Sequence, residues 1–147
     1  MSYDELVLEA LCFGWVDTKG MRVDDDRTSL LLTPRRPGSG WSRPNKERVA
    51  ALTTAGRMRA PGQAVIDRAR ADGSWTKLDD VENLVEPDDL GAALDAVPAA
   101  RLACDGFPRS AKRAVLAWLV DAKRAPTRER RIAETVAEAS QGRRAHQ

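Results

Sequence analysis

Prolines set the first limit on what this chain can fold into, because a proline ends a strand or helix, or sits in the first turn of a new helix, and is excluded from the interior of either. Pro34 stops a strand-like run, "TSLLLT". Pro61, Pro87, Pro98 and Pro126 each stand at the head of a segment with helical spacing. The chain is thereby cut into short elements, and most of them are helices.

Between these marks the apolar pattern assigns each segment. Ser2 and Glu5 form a capping box, and Tyr3, Leu6, Val7, Ala10 and Leu11 share one face at i, i+3, i+4, i+7 and i+8, so residues 2–11 read as a helix ended by Gly14. "WVD", "MRV" and "TSLLLT", separated by "TKG" and "DDDR", read as three short strands of an antiparallel sheet. Helices are expected from Ser42 to about Thr54, from Pro61 to near Gly73, from Glu86 to Val97, from Pro98 to Asp105, from Ser110 to Arg124, and from Pro126 to Gly142, with "RRAHQ" as a frayed tail. In the Ser110–Arg124 segment, Ala111, Ala114, Val115, Trp118, Leu119 and Ala122 form one apolar stripe. Leu116 and Val120 lie on a second side, so this helix should meet two neighbours.

The resulting fold class is α+β and mostly α: a small antiparallel sheet near the N-terminus packed with short helices, followed by a helical C-terminal part. The expected division is residues 1–78 and 86–142 within one compact unit. The acidic, aperiodic stretch from Asp79 to Glu86 is the linker between them. At 147 residues the chain is long enough to bury a core without a metal or disulfide. Apolar residues at 42% and charged residues at 31% place it among globular chains, and no apolar run approaches the roughly 20 residues of a membrane span.

The N-terminal "MSYDELVLEAL" is acidic where a secretory signal is basic, which gives the expectation of a cytoplasmic protein with no membrane insertion. Cys12 and Cys104 fit that compartment as core thiols. Nucleophilic catalysis by Cys12 needs a base, and the sole histidine is His146 in the tail. Two distant cysteines and that histidine give no metal-ligand spacing. "DDDR" lacks the glycine and spacing of a calcium loop and reads as a solvated turn, and neither "GRMRAPG" nor "PGSG" carries the lysine and hydroxyl of a phosphate loop. No metal, no cofactor and no catalytic residue is expected.

Net charge is only +2, yet it is segregated. Seven Arg or Lys stand against one Glu from Thr33 to Arg59. One Lys stands against seven Asp or Glu from Thr76 to Asp95, and eight basic residues stand against two acidic ones from Arg109 to Arg131. Such blocks either attract anionic partners or neutralise one another across the fold.

The richest motif for a site is "TPRRPGSGWS". Its prolines restrict the backbone around Arg35 and Arg36, its glycines permit close approach, and a guanidinium grips carboxylate or phosphate in a two-point fork. Trp41 offers a flat face and Ser42 a helix start. Two readings stay open: a preorganised pocket for an anion and a ring, or a scaffold in which the arginines pair with Asp17 and Asp24–Asp26 while Trp41 is core. Trp15 and Asp17, from "CFGWVD", complete the candidate set, Trp15 as packing residue or wall and Asp17 as the carboxylate that orients the arginine pair.

"EALCFGWVD", "TPRRPGSGWSRPNKERVAALTTAGRM" and "AKRAPTRERRIAETVAEASQG" resemble the YdeI/OmpD-associated family, the bacteriocin-protection proteins, over nearly the whole chain. Thr33, Pro34, Arg35, Arg36, Pro37, Ser39, Trp41, Ser42 and Asn45 fall at the family's spacing. The resemblance implies an association with resistance to antimicrobial peptides and with an outer-membrane porin, and it carries over no catalytic residues. Family members commonly have an extension before the first motif. This chain starts almost at that motif, so the expectation is a sheet either incomplete or completed by a second copy, a homodimer covering a strand edge or the side bearing Leu116 and Val120.

The leading expectation is a non-catalytic protein of this type, with a stress or antimicrobial-protection role, binding a small anionic or aromatic ligand through Arg35, Arg36, Trp41, Ser42, Asn45, Trp15 and Asp17. The alternatives are a small cofactor-free enzyme using Asp17 with Arg35 and Arg36, or a weak nucleic-acid-binding module. The last is disfavoured by a pI near 8.7 and by acidic residues almost as numerous as basic ones.

Overall fold

The computed structural model describes residues 1–146, which are mostly helical with one antiparallel hairpin, and divides them into two compact units, Met1–Lys77 and Leu78 onward. The first unit begins with α1 (Tyr3–Cys12), whose capping box forms as expected: the Ser2 hydroxyl accepts from Glu5 N at 3.3 Å and the Glu5 carboxylate accepts from Ser2 N at 2.7 Å. Val7, Ala10, Leu11 and Cys12 are buried. Gly14 then turns the chain at φ +77, where a Cβ would lie 2.6 Å from Val65 Cγ2.

The hairpin follows as β1 (Trp15–Arg22) and β2 (Thr28–Pro34), pairing Trp15 with Pro34 and Arg22 with Thr28. Here the three-strand expectation is corrected. "TKG" is no turn: the strand runs through it, and the register shifts between Asp17, opposite Leu32, and Lys19, opposite Leu31. The extra residue, Thr18, is absorbed as a bulge, with its hydroxyl donating to Leu31 O at 3.2 Å. "DDDR" forms the turn, closed by Val23 N and Asp24 N donating to Arg27 O.

Two helices complete the unit, α2 (Arg43–Thr54) and α3 (Ala60–Asp72), each with a proline in its first turn. Val7, Leu11, Cys12, Trp41, Val49, Leu52, Ile66 and Ala69 form its core. The start of α3 meets the end of α1 backbone to backbone. A Cβ on Gly62 would stand 2.3 Å from Cys12 O, the same carbonyl that accepts from Arg59 N at 3.2 Å.

The second unit holds α4 (Asp79–Glu82), α5 (Asp88–Asp95), α6 (Pro98–Asp105), α7 (Arg109–Val120) and α8 (Ala125–Ser140). The 79–86 stretch, expected as a linker, instead starts this unit: Val81 is 1% exposed and belongs to the core with Leu90, Leu94, Ala100, Val115, Leu116, Leu119, Ile132 and Ala139. Its acidity misled because Glu82 is buried with partners far along the chain, accepting from Arg113 at 2.6 Å while its carbonyl accepts from Arg109.

α7 does bury two sides. Leu116, on the side offered as one of two places for a second copy, is 6% exposed within this core, and Val120 packs against it. The tail is not frayed over its described residues. Ala145 is buried, and His146 stacks on Trp118 with centroids 4.9 Å apart and an interplanar angle of 2°. In this unit the acidic and basic blocks pair with each other, through Glu82 with Arg113 and Asp89 with Arg128.

Candidate functional site

The loop from Pro34 to Ser42 is built around Arg35. As β2 ends, Arg35 N donates to Gly14 O at 3.0 Å, which ties the loop to the turn after α1. The side chain then folds inward: Arg35 is 7% exposed, and its guanidinium carbon lies 3.9 Å from the centroid of the Trp41 ring. Nη1 donates to Gly40 O at 2.9 Å and to the Ser39 hydroxyl at 3.5 Å, while buried Nε has no protein partner. Burial draws the guanidinium pKa down, and the Asp17 charge pulls it partly back.

Trp41 is 2% exposed and lies 5.0 Å from Trp75 at a tilt of 47°. Its ring is therefore a core surface, faced by Arg35 and Trp75. The Trp75 ring is in turn approached by Arg70 Cζ at 5.0 Å and Lys46 Nζ at 5.3 Å. Trp75 and its cations escaped the sequence reading, since the only local signal is a tryptophan two residues after the glycine that ends α3.

Arg36 takes the opposite direction. Its carbonyl accepts from Ser39 N at 3.2 Å and Ser39 Oγ at 2.8 Å, closing a tight turn in which Gly38 adopts φ +74, and its side chain is exposed. The turn is held to the end of α3 as well: Lys77 Nζ donates to Gly38 O, and the Gly38 amide donates to the Asp72 carboxylate, which also accepts from Ser74 N at 2.8 Å. These bonds to Ser74, with the Gly38 amide adding to them, hold the Asp72 carboxyl below its ordinary range. Arg36, Ser39, Arg68, Asp72 and Ser74 border a crevice of about 10 Å³, the size of a single water.

The remaining candidates lie in other settings. Asp17 accepts from the Tyr3 hydroxyl at 2.7 Å, a bond that raises the tyrosine pKa, and among the described residues it has no ion pair with either arginine. Ser42 is the N-cap of α2 but makes no side-chain cap bond. Asn45 Oδ1 accepts from Arg48 Nη1 at 3.1 Å. Trp15, 41% exposed, lies on a shallow apolar surface with Phe13, Leu6 and Leu32. The structure thus joins Arg35, Ser39 and Trp41 into one cluster and leaves Arg36 outside it, facing solvent.

Cys12 and Cys104 are free thiols, both with pKa pushed up by burial, as expected of packed cysteines. Among the described residues no three His, Cys, Asp or Glu side chains converge as a metal site would require, and no helix is long and apolar enough to cross a membrane.

Comparison with known families divides the chain much as the fold does. Residues 1–65 match the model of a domain of unknown function (DUF8412), and residues 83–142 match the model described as bacteriocin-protection, YdeI or OmpD-associated. No curated protein and no solved structure matches the chain. The arginine loop falls in the first matched segment, and α5 to α8 fall in the second.

Proposed function

We propose that this chain, whose residues 83–142 are a bacteriocin-protection, YdeI- or OmpD-associated domain, is a non-catalytic binding protein that takes a small anion at Arg36, on the solvent side of the arginine loop. The observation that carries the reading is the division of labour between adjacent arginines. Arg35 is committed to Trp41 and Gly40, whereas Arg36 is exposed on a turn braced by Ser39 and by the end of α3, with no ion-pair partner among the described residues. A guanidinium fixed at its backbone and free at its fork suits a carboxylate or phosphate. Arg68, beside the same crevice, adds a second positive charge.

Burial of Trp41 favours the anionic over the aromatic part of the expected ligand chemistry. In the enzyme alternative the acid–base group Asp17 already accepts from Tyr3, and in the nucleic-acid alternative Arg113 and Arg128 of the second basic block are engaged by Glu82 and Asp89. A protective role against antimicrobial peptides is supported by the description of the matched domain alone.

The test is a calorimetric and NMR titration of the whole chain with inorganic phosphate, acetate and a nucleoside monophosphate. One of them should bind saturably and shift the amides of residues 36–39. Arg36→Ala should weaken that binding about tenfold or more, the worth of a charge-assisted fork. Absence of saturable binding at tens of millimolar, or binding unchanged in Arg36→Ala, refutes the reading.

A further inference from the structure

We propose that the second unit contains a separate binding site: a partly open, mainly apolar pocket bounded by α5, α6, α7 and α8 that takes one small, neutral aromatic molecule. The cavity has a volume of about 170 Å³, and Leu84, Leu90, Phe107, Val115, Leu116 and Ala145 supply its apolar walls. Protein interiors pack at crystal density with few voids larger than a water, and apolar cavities on the order of 150 Å³ stay dry and accept benzene-sized guests. A space of this size beside so compact a core is room for a ring, and it is independent of the arginine loop.

Charge at the mouth decides what kind of ring. Glu86 accepts twice from Arg101, at 2.8 and 3.0 Å, and Asp105 receives a third bond from the same guanidinium at 3.5 Å. Lys112 donates to Asp105 O at 2.8 Å, and the Thr135 hydroxyl donates to Arg131 O at 2.8 Å. These contacts occupy the Glu86 and Asp105 carboxylates and one of the three donors of Lys112. The walls beyond them are apolar, so a charge carried inward would lose its hydration there, whereas a neutral guest loses little.

Two further features favour an aromatic guest held in a built site. The Cys104 sulfur lines the cavity as a protonated thiol, its pKa pushed up by burial, and offers the soft contact that sulfur makes with a ring, while Phe107 adds an aromatic side chain to the same lining. Leu84 reaches the wall from φ +54, a left-handed conformation rare for a bulky residue and kept only where surrounding structure fixes it.

Toluene and indole serve as probes for the full-length protein, with benzoate and benzylammonium as charged counterparts. The neutral probes should raise the melting temperature saturably. They should also slow iodoacetamide alkylation of Cys104, followed by peptide mass spectrometry, about tenfold at ten times their Kd, while Cys12 in the other unit keeps its rate. Benzoate and benzylammonium should do neither at the same concentrations. Cys104→Leu should fill the space and abolish the thermal shift; should that variant fail to fold, alkylation of the parent decides alone. No saturable effect up to the solubility of toluene, equal protection by benzoate, or equal protection of Cys12 overturns the proposal.

Discussion

Replacing Arg35 with alanine tests how the arginine loop is held. The substitution removes a charge-assisted hydrogen bond to Gly40 O at 2.9 Å, worth about 1.5–3 kcal/mol, and a desolvated stack on Trp41 at 3.9 Å, worth about 2 kcal/mol. It also returns something. The buried guanidinium has no carboxylate within ion-pair distance among the described residues and its Nε is unpartnered, so its removal relieves about 1–3 kcal/mol of desolvation. The net expectation is a loss of about 2 kcal/mol. That is well short of the 3–5 kcal/mol that follows when one member of a buried ion pair is stranded. Arg36→Ala, at an exposed position, should stay within about 0.5 kcal/mol of the parent. Urea unfolding followed by tryptophan emission is the assay, because Trp41 and Trp75 report on this cluster directly. Equal losses in the two variants, or an Arg35→Ala protein as stable as the parent, would refute the reasoning.

Gly62→Ala should destabilise the first unit by about 3 kcal/mol, since the added methyl meets the Cys12 carbonyl rather than a movable side chain; the same urea titration measures it. Asp89 should titrate below its ordinary value of 3.8, because Arg128 bonds both of its oxygens at 2.6 and 2.9 Å. A lowered folded pKa means that this tie stabilises above the ordinary carboxyl range and is lost as pH falls through the folded value. Carbon-detected NMR of Asp89 should show the depressed titration in the parent and a return toward 3.8 in Arg128→Gln.

Much of the helical framework is legible from the sequence, because its signals are local. The Ser2–Glu5 box fixes where α1 starts, the prolines fix where later helices begin, and the two apolar sides of the Ser110–Arg124 segment are both buried in α7. What was misread depends on contacts remote in sequence. Turn-forming residues at 18–20 look like a break until β2 supplies a partner strand that absorbs Thr18. Glu82 looks like part of a solvated linker until Arg113, some thirty residues on, neutralises its carboxylate and Arg109 bonds its carbonyl. At the arginine loop, sequence leaves both pocket and scaffold open, with the scaffold somewhat favoured. Folding separates them residue by residue, because only a position's place on the loop decides that Arg35 turns toward Trp41 and Arg36 away.

The hairpin carries a consequence of another kind. No residue of β1 or β2 is fully buried, and the strands are fastened by Arg35 N to Gly14 O and Tyr3 to Asp17 at their base and by Leu30 against the core, with nothing comparable nearer the tip among the described residues. Two strands alone are marginal in water, so the distal half, from Lys19 to Ser29, opens at little expense to the core beneath it. That makes the Asp24–Asp26 turn the natural splice point of the first unit. A tag, a reporter peptide or a longer loop inserted there should leave Trp41, Ile66 and the arginine cluster undisturbed, so that the tip becomes a handle on the first unit that does not touch its core.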